Sequence, residues 1–342
     1  MKTCQLGFSA PSNIALVKYW GKHSNQYPCN PSISFSLKNS VTKTVAEYSK
    51  ISGQEILLDF MFNGEDENNF SEKIKTYFDK IKKETNVVSN YSFKIVSENS
   101  FPHSSGIASS ASSMASLALI LATIESENNL NHVEFQKRAA YLARLGSGSA
   151  TRSIYGGFVS WGMNPFLEGA TDDYGTSINY LVHTDFRRIS DAILIVDSKE
   201  KKISSSLGHD LMKNNPYREI RFKEAMINYQ DCLNSLKTGN WNALASVVEK
   251  EALSLHALMM TSNPSFILLK PNSLKIIDLI IEFRNKTGLP VFFSIDAGPN
   301  VHLLYDNQYK TRIMDFIQNQ LVPLLEDGHF IDDEIGDGPV RL

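Results

Sequence analysis

Lys18 and Lys22 stand four residues apart around a Tyr-Trp-Gly in GFSAPSNIALVKYWGKH, residues 7–23. Set among apolar residues after a proline, they suit either a solvated helix edge or two cations aimed at one anion. Three other stretches bear on that choice. In FPHSSGIASSASSMASLALIL (101–121), small residues and serines lead directly into an apolar helix. A helix N-terminus offers unpaired N–H donors and about half a positive charge, which makes it a ready phosphate site. Small side chains let the backbone close around the anion, and serine hydroxyls suit phosphate oxygens or Mg2+. A tight, serine-capped turn has the same composition. No G-x-x-x-x-G-K-[ST] and no complete G-x-G-x-x-G occurs, so a nucleotide here would sit on neither a Walker loop nor a Rossmann turn. In ARLGSGSATRSIYGG (143–157), Gly146-Ser147-Gly148-Ser149 again sets backbone donors and hydroxyls beside a cation, Arg152. Its planar fork can hold a carboxylate with two parallel bonds, or serve a surface ion pair. In FFSIDAGPN (292–300), Asp296 ends an apolar strand and enters a Gly-Pro turn, as a turn aspartate or as a carboxylate held at a strand end. Together, two phosphate-type loops, three cations near glycines and one strand-end aspartate describe a site for a polyanionic substrate with ATP.

The elements that must position these groups are those of an ordinary globular chain. At ~150 residues per domain, 342 residues suggest two domains, here 1–188 and 189–342. With 42% hydrophobic and 21% charged residues, either domain can bury a core. A net charge of −3 gives no electrostatic case for nucleic acid. Cys4, Cys29 and Cys232 are odd in number and far apart, which suggests neither a disulfide framework nor a zinc site. MKTCQLGFSA lacks the apolar core of a signal peptide. No apolar run reaches the ~18 residues of a membrane span, so a cytoplasmic location is expected. SISFSL, VTKTVAEY, EILLDFMF, YSFKIVSE and DAILIVDS read as strands. Helical spacing over 69–84 puts Phe70, Ile74, Tyr77, Phe78 and Ile81 on one face. Further helices are predicted over 109–125, 131–145 (with an Asn131/Glu134 capping box), 217–237, 241–258, 272–286 (closed by Gly288) and 308–325. PVFFSIDAGPNVHLLY reads as a hairpin, and the polar run 199–216 as a mobile loop. Blocks of strands and helices, rather than strict alternation, indicate an α+β fold.

APSNIALVKYWGK, SSGIASSAS, RLGSGSATRS and DAGPN, in that order from residue 10 to about 300, resemble the mevalonate diphosphate decarboxylase family of the GHMP kinase superfamily. The second motif is shared widely across the superfamily; the other three are specific to the decarboxylases. The resemblance implies a GHMP kinase fold: an N-terminal domain like domain 2 of ribosomal protein S5, and a ferredoxin-like C-terminal domain. It also implies a cleft site between the two, and a homodimer. The implied reaction is ATP-dependent decarboxylation of mevalonate 5-diphosphate to isopentenyl diphosphate. ATP phosphorylates the tertiary 3-hydroxyl, and phosphate then departs with CO2.

Carried over motif by motif, Asp296 faces the 3-hydroxyl, Arg152 clamps the substrate carboxylate, and Lys18 sits between Asp296 and the transferring phosphate. Asn13, Tyr19, Lys22, Ser147, Gly148, Ser149 and Ser205 hold the substrate. Ser104, Ser105, Gly106, Ser109 and Ser110 cradle the ATP phosphates with their Mg2+, which is expected with the nucleotide rather than at a site of protein ligands alone. An ordinary aspartate, pKa ~3.9, is a weak base for an alcohol. Orienting the hydroxyl and stabilising positive charge at C3 are therefore expected to be its larger role. Sibling kinases carry an aspartate in the region matching 146–157; this chain has none there, which leaves Asp296 as the candidate carboxylate.

Two departures stand out. FPHSSGI replaces a commoner Pro-Thr-Ala-Ala-Gly-Leu and puts His103 beside the phosphate loop. ISSSLGHD puts His209, with no assignable meaning, where the family has a Gly-Met. Lys199, Lys201 and Lys202 suit either a nucleotide-facing lid or a solvated run. A mevalonate 5-phosphate decarboxylase, a mevalonate 3-kinase and a non-catalytic nucleotide-binding protein on the same fold are the alternatives.

Overall fold

A computed structural model describes residues 3–51, 58–64, 68–102, 107–126, 131–199 and 205–342. Its first sheet is built on a long antiparallel ribbon, β1 (Thr3–Val17) with β2 (Ser32–Lys50). SISFSL and VTKTVAEY are thus one strand. The first strand, β1, carries no clean alternation because its last eight residues are buried on both faces. The outer edge of β2 pairs with β4 (Tyr91–Asn99) at one end and β5 (Phe158–Trp161) at the other. β3 (Leu58–Phe62) adds parallel to β4, and β6 (Thr176–Ser177) adds to β5. The Glu55–Leu57 part of EILLDFMF lies outside the described residues.

Helices α1 (Asn68–Ile81), α2 (Val87–Asn90), α3 (Ser109–Ser126) and α4 (His132–Gly146) cover this sheet. On α1, Ile74, Tyr77, Phe78 and Ile81 are buried and Phe70 packs against the same core, as the spacing predicts. Asn131 caps α4 by accepting the Glu134 N–H at 3.0 Å. α3 docks by a polar match as well as an apolar one. Thr42 and Thr44, two apart on β2, bond Ser112 and Ser116, four apart on α3, each at 2.6 Å. The spacings agree, because two strand residues span nearly the rise of one helical turn. That match aims the N-terminus of α3 at the end of β1.

The second sheet, in order β10-β7-β9-β8, comprises β7 (Ile189–Leu194), β8 (Val291–Ser294), β9 (Val301–Asp306) and β10 (Phe330–Glu334). β7, β8 and β9 are buried along their whole length because both faces are covered, whereas the edge strand β10 is mostly half-exposed. Ile189, Ile193, Phe292 and Leu304 face a core shared with Ile14, Leu16, Ile33 and Phe35 of the first sheet. Ala192, Leu194, Phe293 and Leu303 face a separate core. Between β7 and β8 lie α5 (Ser205–Leu211), α6 (Arg218–Thr238), α7 (Trp241–Met260) and α8 (Pro271–Thr287), the last closed by Gly288 at φ +68°.

Two expectations need correction, and the C-terminal strands were not predicted. The loop predicted over 199–216 contains α5 and a short 3-10 turn, Met212–Asn214, held by tertiary packing that no local periodicity announces. The single helix predicted over 308–325 is α9 (Lys310–Phe316) followed by a π turn and a 3-10 turn, with Pro323 at the break. The C-terminal residues form β10 and a two-residue β11 (Val340–Arg341), which returns to pair with β1. On this return Asp333, 2% exposed, accepts the N–H groups of Lys38, Asn39 and Ser40, where β2 bulges out of register with β1. Among the described residues no helix is long and apolar enough to cross a membrane.

Candidate active site

Lys18 is the first residue beyond β1, so neither lysine belongs to a helix edge. Its ammonium, 2% exposed, donates to Asp296 Oδ1 and to Ser294 Oγ, both at 2.7 Å. Ser294 ends β8 and Asp296 follows two residues later. The Asp296 carbonyl is held by the buried His256 Nε2 at 3.0 Å and by Gly298 N–H at 2.7 Å. The Lys18 main chain is fixed just as firmly. Its N–H donates to Glu251 Oε2 (2.8 Å), and its carbonyl accepts from Asn30 (2.9 Å). Glu251 is held in turn by both terminal nitrogens of Arg221 (2.6 and 2.7 Å) and by Asn228 (2.6 Å). Burial alone would raise the Glu251 pKa, but Arg221, Asn228 and the Lys18 N–H outweigh it and hold the carboxyl below its usual range.

Arg152 lies in a 3-10 segment, Gly148–Ile154, that follows α4. It donates to Asn13 Oδ1 (3.1 Å) and Ser32 Oγ (2.5 Å), with its guanidinium carbon 5.9 Å from the Trp161 ring centre. Burial brings its pKa down to about 10 against the pull of Asp296, which leaves it a cation at neutral pH. Asn13 closes the arrangement by donating to Ser153 Oγ (2.8 Å) and the Ser149 carbonyl (3.3 Å). Gly148 has no substitute here: a Cβ would lie 2.6 Å from the Tyr19 hydroxyl and 2.9 Å from Trp161.

Tyr19 packs edge-on against Trp161 with centroids 4.8 Å apart, and burial raises its phenol pKa, so it stays a neutral donor. Lys22 is half-buried; desolvation lowers its pKa, opposed by Asp210. Ser109 and Ser110 form the first turn of α3, and Ser110 Oγ lies 3.5 Å from Ser147 Oγ, so the two small-residue loops meet. Ser12 on β1 bonds the Ile107 carbonyl and pins the end of the first loop to the same strand. His103, Ser104, Ser105, Gly106, Lys201, Lys202 and the side chain of Ser205 lie outside the described residues.

Lys18, Asp296, Arg152, Asn13, Tyr19 and Gly148 thus converge, with Ser109, Ser110 and Ser147 on one side. Sequence reasoning missed Ser294, Ser32, His256, Glu251, Arg221 and Asn228. Two of these carried a signal: Ser294 shares the strand face of Asp296 two residues on, and Glu251 interrupts the apolar stripe Leu244, Val248, Leu255 of α7.

A helix N-terminus and a serine loop meeting over a mostly antiparallel sheet, backed by a second α+β layer that supplies a carboxylate, give a mixed α+β protein with a site suited to phosphate chemistry, the architecture of the GHMP kinase fold. The comparisons narrow this. Residues 10–171 match the diphosphomevalonate decarboxylase-like N-terminal domain, and residues 192–335 the mevalonate 5-diphosphate decarboxylase C-terminal domain. The diphosphomevalonate decarboxylase of Debaryomyces hansenii is 30% identical over 326 residues, covering 90% of this chain and 81% of that one. The crystal structure of mevalonate diphosphate decarboxylase from Staphylococcus aureus superposes with a TM-score of 0.85 at 28% identity, over 100% of this chain and 98% of that one. MDDEF in complex with MVAPP, AMPPCP and magnesium gives 0.83 at 26% identity, over 100% and 99%. The chain belongs to the diphosphomevalonate decarboxylase family.

Proposed function

We propose that this chain catalyses the ATP-dependent decarboxylation of mevalonate 5-diphosphate to isopentenyl diphosphate, releasing ADP, phosphate and CO2. The observation that carries the reading is the pairing of the buried Lys18 with the partly exposed Asp296 at 2.7 Å, with Arg152 behind it, in a member of this family. The tertiary 3-hydroxyl is a poor leaving group until phosphorylated. In this reading Asp296 accepts the hydroxyl's hydrogen bond and its proton as the oxygen attacks phosphorus, and passes that proton to the phosphate as it departs, so it is a carboxylate again when C3 turns positive. Lys18 fixes Asp296 and meets the charge of the transferring phosphate. Arg152 holds the substrate carboxylate by its fork. When phosphate leaves, C3 becomes electron-poor, the C–CO2 bond supplies the electron pair, and the Asp296 carboxylate stabilises the positive carbon.

Tyr19, Lys22, Ser147, Gly148 and Ser149, with Asn13 behind them and Ser205 from α5, hold the diphosphate. Ser104, Ser105, Gly106, Ser109 and Ser110 hold the ATP phosphates. Mg2+ bound with ATP would neutralise phosphate charge; the hard hydroxyl oxygens of Ser109 and Ser110 suit it. Support for ATP and magnesium comes from the MVAPP, AMPPCP and magnesium complex of MDDEF.

The reading includes a domain boundary at 188/189, supported by the two matched family domains. It also includes a cytoplasmic homodimer, supported by family resemblance. Sedimentation at about twice 38.3 kDa is the expected result for the dimer.

The test is CO2 release from mevalonate 5-diphosphate, mevalonate 5-phosphate and mevalonate side by side, with ADP counted in parallel. Equal CO2 and ADP from the diphosphate alone supports the assignment. ADP without CO2 makes the chain a kinase, and preference for the monophosphate reassigns the substrate. Lys22→Ala is expected to raise the substrate KM about tenfold while kcat stays within twofold, as loss of one charge-assisted contact predicts. A pure kcat loss in steady-state kinetics would move Lys22 into the chemistry.

A further inference from the structure

Residues 18–22 carry three of the side chains assigned above, yet no regular element spans them. Their main chain is fastened group by group: Lys18 N–H to Glu251, Lys18 C=O to Asn30, Gly21 C=O to Cys29 N–H at 3.3 Å. Gly21 N–H donates to His209 Nδ1 at 3.0 Å, a side chain on α5. The imidazole is 8% exposed and lies between two rings, with centroids 4.5 Å from Tyr19 and 4.7 Å from Trp20. We infer that His209 is a positioning residue: its neutral imidazole, clamped between Tyr19 and Trp20, holds the Gly21 N–H and so sets Tyr19 and Lys22 toward the diphosphate. This inference rests on the substrate reading above.

Several features make the contact specific. An Nδ1 that accepts requires the proton on Nε2, so only neutral imidazole serves. Burial, then the nearby Lys22, lowers the His209 pKa to about 3, with Asp210 opposing, so the acceptor persists through the neutral range. Gly208 permits the approach, because a Cβ there would lie 2.5 Å from the Trp20 ring. Met212, one turn on, joins Trp20, Leu255, Leu258 and Ala297 in one apolar cluster. The segment that follows β7 is therefore docked on the loop that follows β1, and His209 is the polar part of that joint. Without an acceptor the buried Gly21 N–H loses its partner, and Tyr19 and Lys22, on either side of it, lose their alignment.

The test compares His209→Asn, His209→Gln and His209→Leu with the unchanged protein. Asn places an acceptor near the Nδ1 position; Gln places its polar group near Nε2; Leu has none. Each is measured for KM and kcat on mevalonate 5-diphosphate, for inorganic pyrophosphate affinity by calorimetry, and for the Gly21 amide signal in 15N-glycine-labelled protein. We expect Gln and Leu to raise KM and weaken pyrophosphate binding about tenfold, with kcat within twofold, the scale of one lost hydrogen bond. Asn should recover most of both, and the Gly21 signal should move in Gln and Leu and return in Asn. Equal behaviour of Asn and Gln, an unchanged KM in both, or a loss confined to kcat overturns the inference. If the unchanged protein fails to turn over mevalonate 5-diphosphate, the substrate reading falls. The pyrophosphate and amide measurements then still decide whether His209 orders the loop.

Discussion

Asp296→Asn is expected to lower kcat by about 10^3-fold or more while substrate affinity changes by only a few-fold, the range set by loss of a positioned proton acceptor. The substitution keeps the shape of the side chain and an oxygen within reach of Lys18. What it removes is the negative charge, and that charge serves twice. On the proposed mechanism it first orients the 3-hydroxyl and takes its proton; the departing phosphate takes that proton up, and the restored carboxylate then faces a positive carbon. Both are interactions of a reacting species rather than of bound substrate, so the loss falls on kcat. On the proposed assignment binding rests mainly on Arg152, Tyr19, Lys22 and the serine loop, none of which the change removes. Steady-state kinetics with calorimetric binding of mevalonate 5-diphosphate measures both parts. Turnover within tenfold of the unchanged enzyme would remove Asp296 from the role given to it.

Glu251→Leu is expected to cost about 3–5 kcal/mol of folding stability, the scale for breaking a buried ion pair by removing one partner. Arg221 and Glu251 are 2% and 0% exposed, so the guanidinium left behind has no water to turn to. Pairing it with Arg221→Met removes the stranded charge, and the double variant should recover more than half of the loss. Urea unfolding of the three variants reads this directly; a double variant no more stable than Glu251→Leu would show that packing, not charge, set the cost.

The same carboxyl predicts an acid response. Its folded pKa lies below the unfolded value of 4.5. Its contribution is therefore present above about pH 4.5 and is lost as pH falls through the lower folded value. Asp306, whose burial is outweighed by its bonds to Arg188, adds to the loss in the same direction. His209, held neutral down to about pH 3, adds a loss that begins as pH falls below the unfolded imidazole value of 6.5. Stability that declines from about pH 6.5 and more steeply below about pH 4 is the expected profile in urea melts.

The four chemistry-bearing stretches were legible because each is local. Gly146 to Ser149, the serine run into α3 and the Asp-Ala-Gly-Pro-Asn turn are contiguous runs whose residue types can be read without knowing what they pack against. The helices α1, α4, α7 and α8 were legible for the same reason, since a 3.6-residue period needs only a dozen residues to show itself. α5 was not, because seven residues give too short a period. What holds them is Trp20, and that ring lies nearly 190 residues away, as the 188-residue separation of Gly21 and His209 shows.

The amino-acid sequence by itself determined which groups are available: two phosphate-type loops, the cations Lys18, Lys22 and Arg152, and one aspartate at a strand end. Only the tertiary structure decided which of them meet. Lys18 and Asp296 are 278 residues apart in the chain, and Lys18 and Glu251 are 233 apart. A residue pattern records which side of an element avoids water, and neighbouring turns are enough to express it. Which carboxylate answers a given ammonium depends on the packing of two sheets and their shared core, where a buried charge must find a partner or lose several kcal/mol.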